Sequence, residues 1–484
     1  MKDRVRLNTL LMALLIIYSL SVMCWGVVMN PLSPGEAMTI FIGRNVLTEL
    51  GVAEENVPAP SDIMMDTYTG SPAVAPAVIA AADSAAGIYG ARLVSVMFCL
   101  LLIILLYKTG NTPLYGGRGL LTGATFALLG LPLQLSSSAN ADACAALFLG
   151  ASLLCVAHAA GLDHPRKRAS IVLAGALSLA LAAMVSYTVM FFVLPFVLYV
   201  FLLHRPFTAG VFFLLPLLVL LALYGYFAVL PVLPAVENEF ASFQSLSGGA
   251  TNSSGAYIFY LLNMALLLAA IGIFHKEGGI KSIFLLLLAA PAFIVHLECP
   301  GVNYMHTAAM FSLVFLAPAA ALGVVQLSEL FSLYNDMKLA KPFFVTALLV
   351  ITFVFGIQQI RGLNKERPDL SSAVSFLNGR PNSYSTLLVD SDYGSPEFVY
   401  RYYLGKKTPW VRIIPIKRGT EKERRDIVAS QRPDYVVVDG FHSVKSFDQV
   451  NRDYLAQDFT VAATYSMSLT SGVKNILVFQ KGAL

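Results

Sequence analysis

The chain has 484 residues, of which 57% are hydrophobic and only 13% charged, with a formal net charge of +4. Its mean hydropathy is +0.69. That balance exceeds what one water-soluble core can hide, so it excludes a soluble enzyme and predicts a polytopic α-helical membrane protein.

Apolar runs long enough to cross ~30 Å of hydrocarbon lie near 8–29, 90–107, 118–135, 142–160, 169–185, 187–203, 208–231, 256–274, 282–297, 306–327 and 342–360. Eleven spans are predicted. The first is an anchor and not a cleaved signal peptide, since its apolar stretch is longer than the usual h-region and no small-x-small cleavage site follows it.

With Lys2, Arg4 and Arg6 on the cytoplasmic side, the alternate inner gaps hold Lys108, Arg118, Arg166, Lys167, Arg168, Arg205, Lys276, Lys281, Lys338 and Lys341. Before residue 342 the outer gaps hold only Arg44, with Arg92 at the mouth of the second span. The positive-inside bias therefore puts the N-terminus in the cytoplasm, and an odd number of spans puts the C-terminus outside.

The first outer loop, about residues 30–89, carries Glu36, Glu49, Glu54, Glu55, Asp62, Asp66 and Asp83 against Arg44. A loop of that length between two spans calls for a function. Ser33 and Glu36 have the spacing of a capping box, and Pro34 falls at the first helical position. An amphipathic helix lying on the membrane is predicted to follow.

Residues 1–360 therefore read as a transmembrane module. From 361 to 484 the composition turns charged, with short β-type runs at 386–390, 435–438 and 475–479 and helical stretches at 369–377 and 421–430. This predicts a compact extracytoplasmic α/β domain of about 120 residues.

Cys24, Cys99, Cys144, Cys155 and Cys299 show no CxxC or regular spacing, so neither a disulfide framework nor a zinc ribbon is implied. There is no P-loop, and no GxGxxG or GxSxG sits between a strand and a helix. The outer stretch 296–306 gathers His296, Glu298, Cys299 and His306, but the spacing matches no standard zinc motif. The sequon Asn252-Ser-Ser254 also falls outside.

Several pieces in order resemble the GT-C glycosyltransferases, with protein O-mannosyltransferases and bacterial lipid A aminoarabinose transferases the closest types. They are Glu36 just after the first span, the helix containing Arg44, the Pro-spaced 70–79 element and Ala91-Arg-Leu-Val-Ser95. Ser136-Ser-Ser-Ala-Asn-Ala-Asp142, Asn303-Tyr-Met-His306 and Phe398-Val-Tyr-Arg-Tyr-Tyr-Leu-Gly405 continue the match. Where the family usually has Asp-Glu, this chain has Gly35-Glu36.

The resemblance implies transfer of a sugar from a polyprenyl-phosphate donor to a lipid, glycan or protein acceptor on the outer face, with inversion. Such a transfer needs a carboxylate to take the acceptor proton and positive charge to stabilise the departing phosphate. Glu36 is the expected base and Asp142, at the outer mouth of the fourth span, the second acid. Asp62 and Asp66 are further loop acids. Glu36 and Asp142 together are candidate oxygen ligands for one divalent cation, Mg or Mn. Arg92, with Tyr304 and His306, is expected near the donor phosphate. The bilayer and these substrates are the expected partners, and nucleic acid is not.

Two other classes fit an eleven-span chain. A transporter or flippase would show polar residues near mid-membrane and inverted repeats, whereas here Asp142 and Arg92 sit at span mouths. The third class is a non-catalytic receptor with the GT-C architecture.

Overall fold

The structure, a computed structural model, describes residues 2–49, 74–230, 254–298 except 277, 302–334 and 340–365. In the C-terminal part it describes chiefly 369–378, 385–390, 397–407, 411–416, 421–439, 457–469 and 472–482. Asp62, Asp66, Asn252 and Cys299 lie outside the described residues.

The membrane part contains α1 (Lys2–Met29), α2 (Pro34–Glu49), α3 (Val74–Gly110), α4 (Gly119–Ala127), α5 (Gly130–Ser136), α6 (Asp142–Ala160) and α7 (Pro165–Val185). It continues with α8 (Met190–Leu203), α9 (Pro206–Phe227), α10 (Ser254–Ile271), α11 (Gly279–Ala289), α12 (Pro291–Glu298), α13 (Val302–Tyr334) and α14 (Ala340–Lys365). Every predicted run is helical among the described residues. Among the described residues, seven helices are long and apolar enough to cross a membrane, and the α4–α5 pair, bent by 66°, makes up to eight. The stretches 187–203, 264–274 and 279–295 are shorter apolar helices.

The bundle is organised around α13, whose Phe311 and Phe315 pack against Phe192 of α8, with ring centroids 6.0 Å apart in both pairs. Leucines such as Leu194, Leu198, Leu215 and Leu218 point outward, as lipid-facing side chains do. The break between α4 and α5 frees backbone groups that lipid cannot satisfy. Gln359 of α14, fully buried, fills that need. Its Oε1 accepts from the Leu131 amide at 3.0 Å, and its Nε2 donates to the Tyr260 and Leu261 carbonyls. One side chain thus ties α5, α10 and α14 together.

The helix that carries the second span starts earlier than the predicted apolar run. α3 is helical from Val74 but kinked at Ala86 and Gly87, where Gly87 has φ 64° and ψ −161°. That conformation is open in practice only to glycine. The kink separates a short outer arm, 74–85, from the membrane-crossing part.

In the C-terminal part α15 (Ser371–Leu377), β1 (Thr386–Asp390), α16 (Glu397–Lys407), β2 (Arg412–Ile416), α17 (Glu421–Gln431), β3 (Tyr435–Asp439), β4 (Phe459–Leu469) and β5 (Gly472–Lys481) build an α/β unit. The sheet order is β2-β1-β3-β5-β4. β1 pairs in parallel with β2 and β3, and β5 runs antiparallel to β3 and β4. The alternating apolar residues that mark the predicted runs put Leu387 and Val389 on one face of β1 and Leu388 on the other.

The capping box forms as predicted, with Glu36 N donating to Ser33 Oγ at 3.3 Å and Ser33 N to Glu36 Oε2 at 3.0 Å. The membrane-surface placement of α2 is corrected. Its apolar residues Ala37, Ile40 and Phe41 belong to one buried cluster with Leu370, Val374, Phe398 and Tyr402 of the α/β unit. Protein covers that face, because the α/β unit packs against α2.

Candidate functional site

α2 lies against α3 and is tied to it at both ends by carboxylate–guanidinium pairs of opposite polarity. At its N-terminal end, Glu36 meets Arg92 with Nε–Oε1 at 2.8 Å and Nη2–Oε2 at 3.0 Å. Toward its C-terminal end, Arg44 pairs with Asp83. Asp83 and Arg92 stand on either side of the Gly87 kink. Beside Arg44 the backbones approach closely at Gly43, where any Cβ would run into the Pro76 carbonyl.

Arg92 and Glu36 are each 2% exposed. The Arg92 Nη1 donates to the Val27 and Asn30 carbonyls at 2.7 and 2.8 Å, and Nη2 to the Pro31 carbonyl at 3.0 Å. With the two bonds to Glu36, all five guanidinium N–H groups have protein partners. The carbonyl partners lie at and just beyond the C-terminus of α1, where a cation also complements the helix dipole. Glu36 Oε1 in addition accepts from the Ala139 amide at 2.8 Å.

That last bond fixes the loop leading into α6. Asn30 Nδ2 donates to Ser137 Oγ at 2.9 Å, and Ser95 Oγ bonds both the amide and the carbonyl of Asn140. Asp142 follows, half-buried at the first turn of α6, where Thr307 Oγ1 donates to its Oδ2 at 2.6 Å. The Asp142 amide donates to Asn140 Oδ1 at 2.8 Å. Glu36 and Asp142 are therefore held at the two ends of one short loop.

From above, α16 of the α/β unit closes the site. Tyr402 Oη donates to Asp83 Oδ1 at 2.7 Å, and its ring lies 5.7 Å from the Arg44 guanidinium carbon. Burial, then the hydrogen bond to Asp83, hold the Tyr402 phenol well above its ordinary range. The neighbouring Tyr403 is likewise pushed up by burial. The Arg92 charge lowers it and those of Glu36 and Asp369 raise it, which places this phenol beside the ion pair.

No protein-family model matches the sequence, and no curated protein does. Solved structures match along nearly the whole length. The crystal structure of ArnT from Cupriavidus metallidurans bound to undecaprenyl phosphate is 14% identical over 96% of this chain and 97% of its own, with a TM-score of 0.54. The apo form of that protein gives a TM-score of 0.53 over the same shares. The Archaeoglobus fulgidus oligosaccharyltransferase tethered with an acceptor peptide is 11% identical over 98% of this chain and 74% of its own, with a TM-score of 0.55. The chain has the fold of the GT-C membrane glycosyltransferases.

Glu36 and Arg92 meet directly, and Asp142 follows the loop that Glu36 holds. Arg92 was expected on the donor phosphate, but its N–H groups are all engaged by protein. Glu36 was expected as a base, but both its oxygens accept from Arg92 and from backbone amides. The two side chains form one buried ion pair, since opposite charges in apolar surroundings pair with each other first. Glu36 and Asp142 do not fit a divalent cation, since the Arg92 guanidinium already neutralises the Glu36 carboxylate. Among the described residues no group of three or more His, Cys, Asp or Glu could hold a metal ion.

Tyr304 lies in the first turn of α13, its side chain outside the described residues, and His306 is half-buried two residues on, next to Thr307. Sequence reasoning did not find Thr307, Tyr402 or Tyr403 as site residues. One signal was present: Arg44 is the one basic residue in an acidic loop, and such a cation pairs with one of the acids around it.

Proposed function

We propose that this chain is an inverting membrane glycosyltransferase that moves a sugar from a polyprenyl-phosphate donor to an acceptor on the extracytoplasmic face. The GT-C fold shared with a protein that binds undecaprenyl phosphate and with one that binds an acceptor peptide supports donor and acceptor of those classes. The distribution of basic residues supports a cytoplasmic N-terminus and an outer α/β unit.

The observation that carries the reading is the 136–142 loop, held by Glu36 and Ser95 and delivering Asp142 to the outer mouth of α6. In the transfer, the acceptor hydroxyl attacks the anomeric carbon opposite the phosphate and its proton passes to a carboxylate. The bond from the anomeric carbon to the phosphate oxygen breaks, and the lipid phosphate leaves with that electron pair. Asp142 is the residue placed to take the proton. Glu36, through Ala139, holds the loop that carries it. His306 and Tyr304, on the turn that also provides Thr307, are the polar neighbours assigned to the donor phosphate.

One observation favours the non-catalytic receptor as a second reading: the expected base and the expected phosphate ligand neutralise each other. Transfer from a panel of polyprenyl-phosphate sugars by the purified chain in liposomes decides between them. The transferase reading expects turnover that Asp142→Asn lowers by about a hundredfold or more while the variant stays folded. Binding of donor lipid with no turnover from any donor would overturn it in favour of the receptor.

A further inference from the structure

Asp83 has a fully buried side chain. A carboxylate removed from water needs a cation and hydrogen-bond donors around it. Arg44 supplies the charge and the Tyr402 hydroxyl a donor. Arg44 in turn lies over two rings, those of Phe41 at 5.6 Å and Tyr402 at 5.7 Å. Phe41 also meets Phe398 of α16, one turn before Tyr402, with ring centroids 6.0 Å apart. A residue 319 positions away in sequence therefore completes the second tie between α2 and α3.

Tyr402 does this twice over. Its ring covers the cation while its hydroxyl bonds the anion, so no part of the Arg44–Asp83 pair is sealed without the α/β unit. The phenol stays protonated at any physiological pH, because burial and the adjacent carboxylate both oppose ionisation. It is a permanent donor.

The consequence runs along α2. This helix is pinned at one end by Tyr402, Asp83 and Arg44 and at the other by Arg92, and its first turn holds the 136–142 loop through the bond from Ala139 to Glu36. A helix of this length is stiff, so a shift at Arg44 is carried to Glu36 and from there to the loop that sets Asp142.

We infer that Tyr402 is a positioning residue: through Asp83 and Arg44 it makes the C-terminal α/β unit the clamp that keeps α2, and with it the Glu36-bound loop before Asp142, in working register. The part that concerns turnover rests on the transferase reading above. The clamp itself does not.

The test compares the full-length wild type with Tyr402→Phe and Asp83→Asn in nanodiscs by amide hydrogen exchange. The same proteins are then assayed for kcat and KM with a polyprenyl-phosphate sugar. Loss of one buried hydrogen bond to a charged group is expected to speed exchange in α2 about tenfold, with the spans unchanged. If transfer occurs, kcat falls by about tenfold while the KM for donor moves little, a split that general destabilisation does not produce.

Unchanged exchange in α2 of Tyr402→Phe overturns the inference, whether or not the protein transfers sugar. Faster exchange in a protein whose wild type transfers nothing upholds the clamp and removes only the transferase reading. Faster exchange with kcat unchanged overturns the positioning role. If Tyr402→Phe does not accumulate in membranes, Asp83→Asn carries the same comparison.

Discussion

Arg92 and Glu36 neutralise each other with every guanidinium N–H used, two on the carboxylate and three on the carbonyls of Val27, Asn30 and Pro31. The pair joins α1, α2 and α3 and reaches the loop before α6. Removing either partner strands the other charge in a buried site. Arg92→Met or Glu36→Gln is therefore expected to cost about 3–5 kcal/mol, and the double variant Arg92→Met with Glu36→Leu less than the two single losses together. Thermal unfolding of the purified variants in detergent, arranged as a double-mutant cycle, measures this.

Gly35 and Gly43 sit on the same helix with opposite surroundings. A Cβ at Gly35 meets nothing within 4 Å, whereas one at Gly43 would strike the backbone of Pro76. Gly43→Ala is expected to lower the unfolding temperature and to separate α2 from the arm of α3. Gly35→Asp, in the first turn of α2, is expected to leave stability within about 0.5 kcal/mol or raise it slightly through the helix dipole.

Thr307 donates the 2.6 Å hydrogen bond that orients the Asp142 carboxylate. Thr307→Val keeps the shape and removes the donor, and is expected to reduce turnover by about tenfold. Thr307→Ser keeps the hydroxyl and should recover most of it. Equal loss in both variants would mean that the methyl group, and not the hydrogen bond, matters.

Gln359 accepts from the Leu131 amide at the break between α4 and α5 and donates to the Tyr260 and Leu261 carbonyls of α10. Gln359→Leu fills the volume but leaves an amide and two carbonyls buried without that partner, at a cost of about 1–3 kcal/mol. The measurement is the unfolding midpoint of the variant. An unchanged midpoint would show that water or lipid headgroups reach the break.

The Tyr402 phenol has its folded-state ionisation raised above the ordinary value of 10.0 by burial and by Asp83. Its contribution to stability is therefore whole below about pH 10. Above that it falls, because the unfolded phenol loses its proton while the folded one keeps it. The wild type should show no Tyr402-dependent change between pH 6 and pH 9. Above pH 10 its stability should approach that of Tyr402→Phe, which unfolding of both proteins across the alkaline range would show.

Much of this protein was legible in its sequence because the signals are local. Apolar runs mark every helix of the bundle, since the bilayer demands length and composition from each segment separately. The capping box at Ser33 and Glu36 and the runs that became β1, β3 and β5 were readable for the same reason. What tertiary structure decided is who partners whom. Arg92 and Glu36 read as two functional residues because nothing in the sequence places them together, and desolvation then forces them into one pair. The face of α2 containing Ile40 and Phe41 is equally suited to lipid or protein, and only the return of α16 chose protein. Asp83 was one acid among seven in its loop, and its meaning came from Tyr402, far along the chain, because buried charges are neutralised by whatever the fold brings near them.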